Sequence, residues 1–137
     1  MDRFDVLIVG GGMVGTTLAC ALKDSGMKIG LIEANPPVDI RGDDPMDLRV
    51  SAITRASQQI FTALGAWSGM TARRISPFRE MHVWDADGDG LIHFDAAEMG
   101  EDALGHIIEN RVIQHALWER LQSEGGVELI CPAAVSE

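Results

Sequence analysis

A glycine-rich segment near the amino end, Gly10-x-Gly12-x-x-Gly15, constrains the fold of this chain more than any other sequence feature. It follows residues 5–9, whose apolar run VLIV predicts a short strand buried in a parallel sheet. Residues 13–25 then carry apolar side chains at helical spacing, and residues 28–33 predict a second strand. The order strand, glycine turn, helix, strand predicts an α/β fold with a Rossmann-like βαβ unit and a parallel sheet.

The residue types in this segment suit a phosphate ligand. Gly10 permits the tight turn out of the strand, and Gly12 has no side chain to keep a pyrophosphate away from the backbone. Gly15 lets the helix lie close to the sheet. The helix begins at Met13 and Val14, where unpaired N–H groups and the positive end of the helix dipole attract phosphate. These five residues form the predicted dinucleotide site.

Glu33 gives a second indication of the ligand. It stands eighteen residues beyond Gly15, at the end of the second predicted strand, where a carboxylate accepts hydrogen bonds from ribose hydroxyl groups. We include the neighbouring Ala34 in the predicted site. A negative charge here disfavours the 2′-phosphate of NADP. The fingerprint leaves FAD and NAD open, and the alternative without a ligand is a glycine-rich turn that binds nothing.

The charge of the chain argues against two other classes of partner. The chain has 11 basic and 21 acidic side chains, a formal net charge of −10, and only short basic clusters such as Arg73-Arg74. A nucleic-acid-binding protein usually presents a basic face, and docking on anionic lipid needs a polybasic run. We therefore expect no nucleic-acid partner. Isolated Cys20 and Cys131, with no signal peptide, predict buried thiols and a cytoplasmic location.

The rest of the chain, of 137 residues in all, completes about one domain. A loop at 35–47 and an extended piece at 48–53 precede a helix that Thr54 caps and Gly65 closes. Residues 80–84 and 91–94 predict a hairpin. A strand at 105–109, a helix capped by Asn110 and a strand at 127–131 follow. The buried face of that last helix is predicted to contain Ile113, Ala116, Leu117 and Leu121.

Two features of the sequence resemble metal sites, but each lacks ligands that such a site needs. The turn at 85–90 matches the start of an EF-hand loop, but Ala96 stands where a bidentate glutamate is needed. Hairpin pairing would bring His82 and His93 together, yet the sequence identifies no further ligands, and His106 and His115 show no ligand spacing. We predict a hairpin turn, ordinary histidines and no metal.

Three polar side chains are weaker candidates for the site. Arg111 and Gln114 share one face at the start of the last helix, and Arg49 follows an acidic loop. An arginine near a bound pyrophosphate has an obvious partner. From residue type alone, however, each of the three is more often a solvated side chain than a ligand.

Five stretches, in order along almost the whole chain, resemble a known family: GGGMVG at 10–15, LRVSAITRAS at 48–57, LGAW at 64–67, MHVWD at 81–85 and LGHIIENRVIQHALW at 104–118. They resemble the ubiquinone-biosynthesis flavin hydroxylases, which are class A flavoprotein aromatic monooxygenases. Within that family the chain is most similar to the bacterial enzymes that hydroxylate an octaprenylphenol-type ring.

The resemblance implies an FAD-dependent enzyme that uses NAD(P)H and O2 to hydroxylate a prenylated aromatic substrate. It also implies peripheral association of a full-length enzyme with membranes. By motif, Gly10, Gly12, Gly15 and Glu33 would hold the AMP half of FAD. The remaining implied contacts are Arg49 on the cofactor, its helix-borne partners Arg111 and Gln114, and the Val135 backbone on the adenine side.

Family members are much longer, and the downstream Gly-Asp motif that binds the ribityl chain is absent. We therefore expect an N-terminal fragment that is inactive alone and whose exposed core surface favours self-association. Its expected parts are an FAD-binding part at 1–76, the start of a substrate domain at 77–103, and a return to the FAD-binding domain at 104–137. The alternatives are an NAD-dependent dehydrogenase domain and a nucleotide-binding module without chemistry.

Overall fold

The computed structural model describes residues 3–40 and 43–136. Its elements in chain order are β1 (Val6–Val9), α1 (Met13–Leu22), β2 (Ile29–Ile32), β3 (Val50–Thr54), α2 (Arg55–Ala63), α3 (Trp67–Thr71), β4 (Ser76–Phe78), β5 (Glu80–Trp84), β6 (Leu91–Asp95), a 3-10 turn (Ala97–Met99), β7 (Gly105–Glu109), α4 (Asn110–Glu124) and β8 (Val127–Ile130). They form a parallel sheet ordered β1-β2-β8, an antiparallel sheet ordered β3-β7-β4, and the hairpin β5-β6. The predicted α/β class with a Rossmann-like parallel sheet is confirmed.

The parallel sheet is most deeply buried at its central strand and less buried in its edge strands β1 and β8. In β2, the central strand, Ile29 and Leu31 are fully buried. The expectation that the first, wholly apolar strand is buried is wrong, because β1 is an edge strand with one face exposed. There only Ile8 is buried, whereas the side chains of Leu7 and Val9 are exposed.

Helix α1 buries a different face from the one its apolar residues suggest. It ends at Leu22, before the predicted end, and Gly26 adopts a positive φ of 78° in the turn that follows. The buried residues are Thr16, Ala19 and Cys20, since α1 packs on α4 and the Cys20 thiol lies 3.6 Å from the Leu117 carbonyl oxygen. The apolar stripe is left uncovered: Val14, Leu18 and Ala21, with Ile60 and Phe61 of α2, line an apolar groove of about 450 Å³.

Helix α4 is the centre of the core, and its predicted buried face is confirmed. Ile113, Ala116, Leu117 and Leu121 are buried, together with Val112 and Trp118. The prediction that Asn110 caps this helix is wrong. The N-cap residue is Glu109, and the Asn110 side chain instead accepts a hydrogen bond from the Ser51 hydroxyl at 2.6 Å. The other predicted cap is confirmed, because the Thr54 hydroxyl accepts from the Ser57 amide.

The second half of the structure contains the predicted hairpin and two elements that the sequence did not indicate. Strands β5 and β6 pair antiparallel across the turn at 85–90, so the hairpin prediction is confirmed. Helix α3 and strand β4 were not predicted, and β4 lies across the expected domain boundary at 76/77, where it pairs with β7. Across the described residues, none of the helices combines the length and hydropathy that a membrane crossing requires.

Gly15 gives a direct test of the helix–strand packing. A Cβ atom at position 15 would lie 1.9 Å from the Gly10 carbonyl oxygen, so Gly15→Ala must displace backbone. We expect a loss of about 1–3 kcal/mol in the free energy of unfolding, the usual cost of overpacking, measured by urea denaturation. Gly12→Ala is the matched control, since nothing lies within 4 Å of its Cβ position. Equal stability of the two variants would contradict the packing argument.

Candidate nucleotide site

The glycine turn has the backbone geometry that the fingerprint predicts. Gly10 has a φ of 102°, a conformation that side chains other than glycine rarely adopt, and its amide donates to the Ile32 carbonyl oxygen at 2.8 Å. This bond ties the turn to the end of β2. The close approach of Gly15 to Gly10 then points the start of α1 at the end of β1. The three glycines of the motif therefore fix where the helix begins.

The amides at the start of α1 are available to a ligand. Gly12 is the N-cap residue and no side chain caps the helix there. Among the described residues, none accepts a hydrogen bond from the amides of Gly12, Met13 or Val14. Gly12 is exposed, and the space beside it is empty. Unpaired N–H groups at the positive end of a ten-residue helix form an anion site.

Glu33 faces this turn. One of its carboxylate oxygens accepts a hydrogen bond from the Gly11 amide at 2.5 Å, and the other accepts from the Asn35 amide at 2.9 Å. These two bonds hold the carboxylate at the carboxyl edge of the parallel sheet. Because a carboxylate has about four acceptor positions, it can accept further bonds from ribose hydroxyl groups. The predicted placement of Glu33 beside the glycine turn is therefore present.

Gln114 also reaches the turn, through a residue that the sequence analysis missed. Its side-chain amide donates to the Gly11 carbonyl oxygen at 2.7 Å, which connects α4 to the loop between β1 and α1. Gly11 is buried, and a Cβ there would lie 2.9 Å from both the Trp118 ring and the Glu33 Cβ. Gly11 thus positions the crevice by contact with three side chains. Its signal in the sequence was its place in the middle of three consecutive glycines.

Arg111 does not contact the glycine turn. Its guanidinium forms an ion pair with Glu109 at 2.7 Å and donates to the Pro45 carbonyl oxygen. Glu109 is only 2 % exposed, accepts from the Asp47 amide at 2.8 Å, and lies 3.0 Å from the Arg74 guanidinium. This buried carboxylate joins the 43–49 loop, α4 and the chain before β4.

The electrostatics of Glu109 favour its ionised form. Burial by itself raises the pKa of the Glu109 carboxyl. The hydrogen bonds from the Asp47 amide and Arg111, with the charges of Arg74 and Arg111, outweigh burial, so the pKa is lowered overall. Ionisation of Glu109 therefore stabilises the fold fully at pH values above the ordinary carboxyl pKa of 4.5. This stabilisation is lost as the pH falls through the lower pKa that Glu109 has in the folded state.

The other predicted site residues are exposed, and their side chains make few contacts. The Arg49 side chain is exposed, and its guanidinium has no hydrogen bond or ion pair within the described ranges. Ala34 is exposed next to Glu33. Val135 is 65 % exposed, in a segment held beside Glu33 by a 2.8 Å hydrogen bond from the Ala133 amide to the Glu33 carbonyl oxygen. The structure thus brings Glu33 and Gln114 to the turn, but not Arg49 or Arg111.

A surface cavity with a greater volume than the α1–α2 groove lies elsewhere in the described structure. It measures about 540 Å³ and lies between α3 and α4, lined by residues that include Gly65, Gly69, Ala116 and Arg120. None of its lining residues belongs to the glycine turn. We place the site at the turn because unpaired amides and an oriented carboxylate specify a ligand, which cavity volume alone does not.

The buried carboxylate gives a pH-dependent prediction. Glu109→Gln removes the charge that Arg74 and Arg111 share, and we expect about 1–3 kcal/mol lower stability at pH 7, measured by urea denaturation. The difference from the parent chain should shrink as the pH falls below the ordinary carboxyl pKa of 4.5 and through the lower folded-state pKa of Glu109, where the carboxylate takes up a proton. Glu101→Gln, which breaks the exposed pair with Arg55, is the control and should cost less than about 1 kcal/mol. A pH-independent difference would contradict the assignment.

No family model matches the chain. Among curated proteins, the 3-demethoxyubiquinol 3-hydroxylase of Escherichia coli is 37 % identical over 131 residues, which are 96 % of this chain and 33 % of that protein. The zebrafish (Danio rerio) mitochondrial ubiquinone biosynthesis monooxygenase COQ6 is 40 % identical over 127 residues, 89 % of this chain and 26 % of the relative. The chain therefore spans a third or less of the length of these relatives.

A solved structure agrees in fold. The flavin-dependent monooxygenase PieE, solved in complex with FAD and substrate, superposes with a TM-score of 0.66 at 20 % sequence identity, over 94 % of this chain and 24 % of PieE. At that identity the likeness shows the fold alone. This likeness agrees with the Rossmann-like parallel sheet described above. Over nearly its whole length the chain is therefore similar to hydroxylases of ubiquinone biosynthesis, and it matches only a part of each of them.

Proposed function

We propose that this chain forms the adenylate side of an FAD site in an enzyme that hydroxylates an aromatic ubiquinone precursor with NAD(P)H and O2. The observation that carries the proposal is the group of amides at Gly12, Met13 and Val14 that no described residue pairs, next to the open space at Gly12 and an oriented carboxylate. This arrangement suits two linked phosphates and an adjoining ribose. When bound, FAD supplies the redox chemistry of hydroxylation.

The residues of this chain have distinct roles in that site. The α1 amides bind the pyrophosphate, and Gly10, Gly12 and Gly15 keep the approach to them clear. Glu33 accepts hydrogen bonds from the ribose, next to Ala34. Gln114 holds the Gly11 carbonyl and so fixes the turn, which makes it a positioning residue. The exposed Arg49 and the Val135 backbone complete the proposed contacts.

Arg111 has a different proposed role from the one its motif implies. Its guanidinium pairs with Glu109 and donates to the Pro45 carbonyl oxygen. We therefore propose that Arg111 mainly holds the 43–49 loop in place. Because Arg49 is the last residue of that loop, we propose that the Arg111–Glu109 ion pair positions the exposed Arg49 guanidinium. We also propose that Arg111 contacts the cofactor through the guanidinium N–H groups that Glu109 and Pro45 do not use.

The wider activity is proposed for the whole protein. The relatives are named as ubiquinone-pathway hydroxylases, and we propose a prenylated aromatic substrate on that ground. We also retain the division into a nucleotide part at 1–76 and 104–137 and a substrate part that begins at 77–103. Peripheral membrane association of the full-length enzyme and a cytoplasmic location are further proposals, the latter supported by two cysteines without a disulfide.

We also propose that this chain, studied alone, self-associates. The α1–α2 groove and the β1 edge expose apolar side chains, among them Val14 at 79 % and Val9 at 65 %. One face of the β5–β6 hairpin exposes a second group of apolar side chains, which includes Met81 and Phe94. Large contiguous apolar patches on a chain favour association.

Titration with FAD, ADP and NAD tests the ligand. We expect FAD and ADP to bind with comparable affinity in isothermal calorimetry, because the chain contributes contacts to the adenylate half. NAD should bind no more tightly than ADP. Much tighter binding of NAD would support the dehydrogenase alternative, and the absence of ADP binding would contradict the proposed site.

Gly12→Ala tests the approach of the phosphates. A methyl group at this position enters the space beside the α1 amides, and we expect ADP affinity to fall by about tenfold or more, because hydrogen bonds to a charged group contribute about 1.5–3 kcal/mol. Gly90→Ala in the hairpin turn is the matched control, since its Cβ makes only an ordinary 3.6 Å contact with Asp85. Equal ADP binding by both variants would count against the turn as the phosphate site.

A further inference from the structure

The β5–β6 hairpin brings together three side chains that lie apart in the sequence. The antiparallel register places His82 opposite His93 and Glu80 opposite Asp95. Alternate residues of a strand point to the same face, so Glu80, His82 and His93 share one face of the hairpin. All three are exposed.

The geometry of this cluster, Glu80–His82–His93, is compact. The two imidazole rings are stacked, with centroids 4.1 Å apart and an interplanar angle of 20°. A single Glu80 carboxylate oxygen (Oε2) lies 3.5 Å from the Nε2 atom of His82 and 3.5 Å from that of His93. One ligand atom from each residue lies within 4.8 Å of the others. Within the described ranges, no other residue forms a hydrogen bond or ion pair with either imidazole.

We propose that this cluster is a three-ligand site for a divalent transition-metal ion of the zinc type. Two imidazole nitrogens and one carboxylate oxygen form a donor set that zinc accepts, with metal–ligand distances of about 2.0–2.2 Å. Two such ligands at a tetrahedral angle lie about 3.3–3.5 Å apart, which matches the two observed carboxylate–imidazole distances of 3.5 Å. Water occupies the fourth position.

The position of the site gives the ion a structural effect. The hairpin is a two-stranded sheet whose opposite face, Met81, Val83, Ile92 and Phe94, is also exposed. A two-stranded hairpin without a covered face is marginally stable. An ion held by Glu80 and His82 of β5 and His93 of β6 joins the two strands across their register, so binding stabilises the paired form.

The test uses Zn²⁺ and the chain as it stands, by competition with a chromophoric chelator at pH 7.5. We expect one tight Zn²⁺ per chain, and no comparable binding of Mg²⁺, which prefers oxygen ligands. His82→Ala and His93→Ala should each weaken Zn²⁺ binding by more than tenfold, since loss of even an outer-shell partner of a metal ligand costs about 10–100-fold. Zn²⁺ should also slow amide hydrogen exchange in β5 and β6 but not in α4.

His115→Gln is the matched control. His115 likewise lies near two carboxylates, with Nε2 3.3 Å from Glu119 and 3.7 Å from Asp39. We expect this variant to bind Zn²⁺ as the parent does, whereas Glu80→Gln should bind it more weakly because the anionic ligand is lost. The proposal is overturned if the parent binds no Zn²⁺, or if His82→Ala and His93→Ala bind it as tightly as His115→Gln. Because all three ligands are exposed, far-UV circular dichroism should show that the Glu80, His82 and His93 variants are folded, and the same measurement checks the His115→Gln control.

Discussion

The contact between Gly15 of α1 and the carbonyl of Gly10 determines how the rest of the nucleotide crevice is arranged. Any side chain at position 15 would overlap that carbonyl, so the first turn of the helix can sit against the end of β1 only with glycine there. This close approach directs the helix axis, and with it the unpaired amides, toward the carboxyl edge of the parallel sheet. Glu33 at the end of the neighbouring strand then lies beside them, since parallel strands end at one edge.

Gly11 connects this contact to the rest of the fold. Its amide donates to Glu33, its carbonyl accepts from Gln114, and a Cβ at this position would lie 2.9 Å from the Trp118 ring. The turn is therefore held from three directions: by β1, by the end of β2, and by α4, which is distant in sequence. Helix α4 is at the same time the centre of the hydrophobic core. Burial of its apolar face thus stabilises the position of the glycine turn as well as the domain.

The βαβ unit, the α4 face and the hairpin could be predicted because each depends on local periodicity or turn chemistry. The sequence failed where the outcome depends on what covers an element. The stripe Val14, Leu18 and Ala21 has helical spacing, yet α4 packs on the Thr16 and Cys20 side of α1. Likewise β1 is apolar along its length but lies at a sheet edge, so Leu7 and Val9 are exposed.

The polar residues show the same limit. Asn110 is a good capping residue by type, but the Ser51 hydroxyl on β3 competes for its side chain, and only the tertiary fold brings that hydroxyl near. The sequence placed Arg111 at the start of α4, yet it could not show that Glu109, two residues earlier, would be buried and engage it. The sequence did not show that Glu80 lies close to His82 and His93, for a similar reason. The distance from Glu80 to His93 depends on the register of the two strands.

The pairing of β8 with β2 has a consequence for how the crevice forms during folding. Ile29 of β2 lies opposite Val127 of β8, and the Ala133 amide bonds to the Glu33 carbonyl, so segments about a hundred residues apart must meet. Closing so long a loop costs entropy before any contact is gained, and such non-local pairing slows folding. The parallel sheet next to the glycine motif is therefore complete only after β8 has paired with β2.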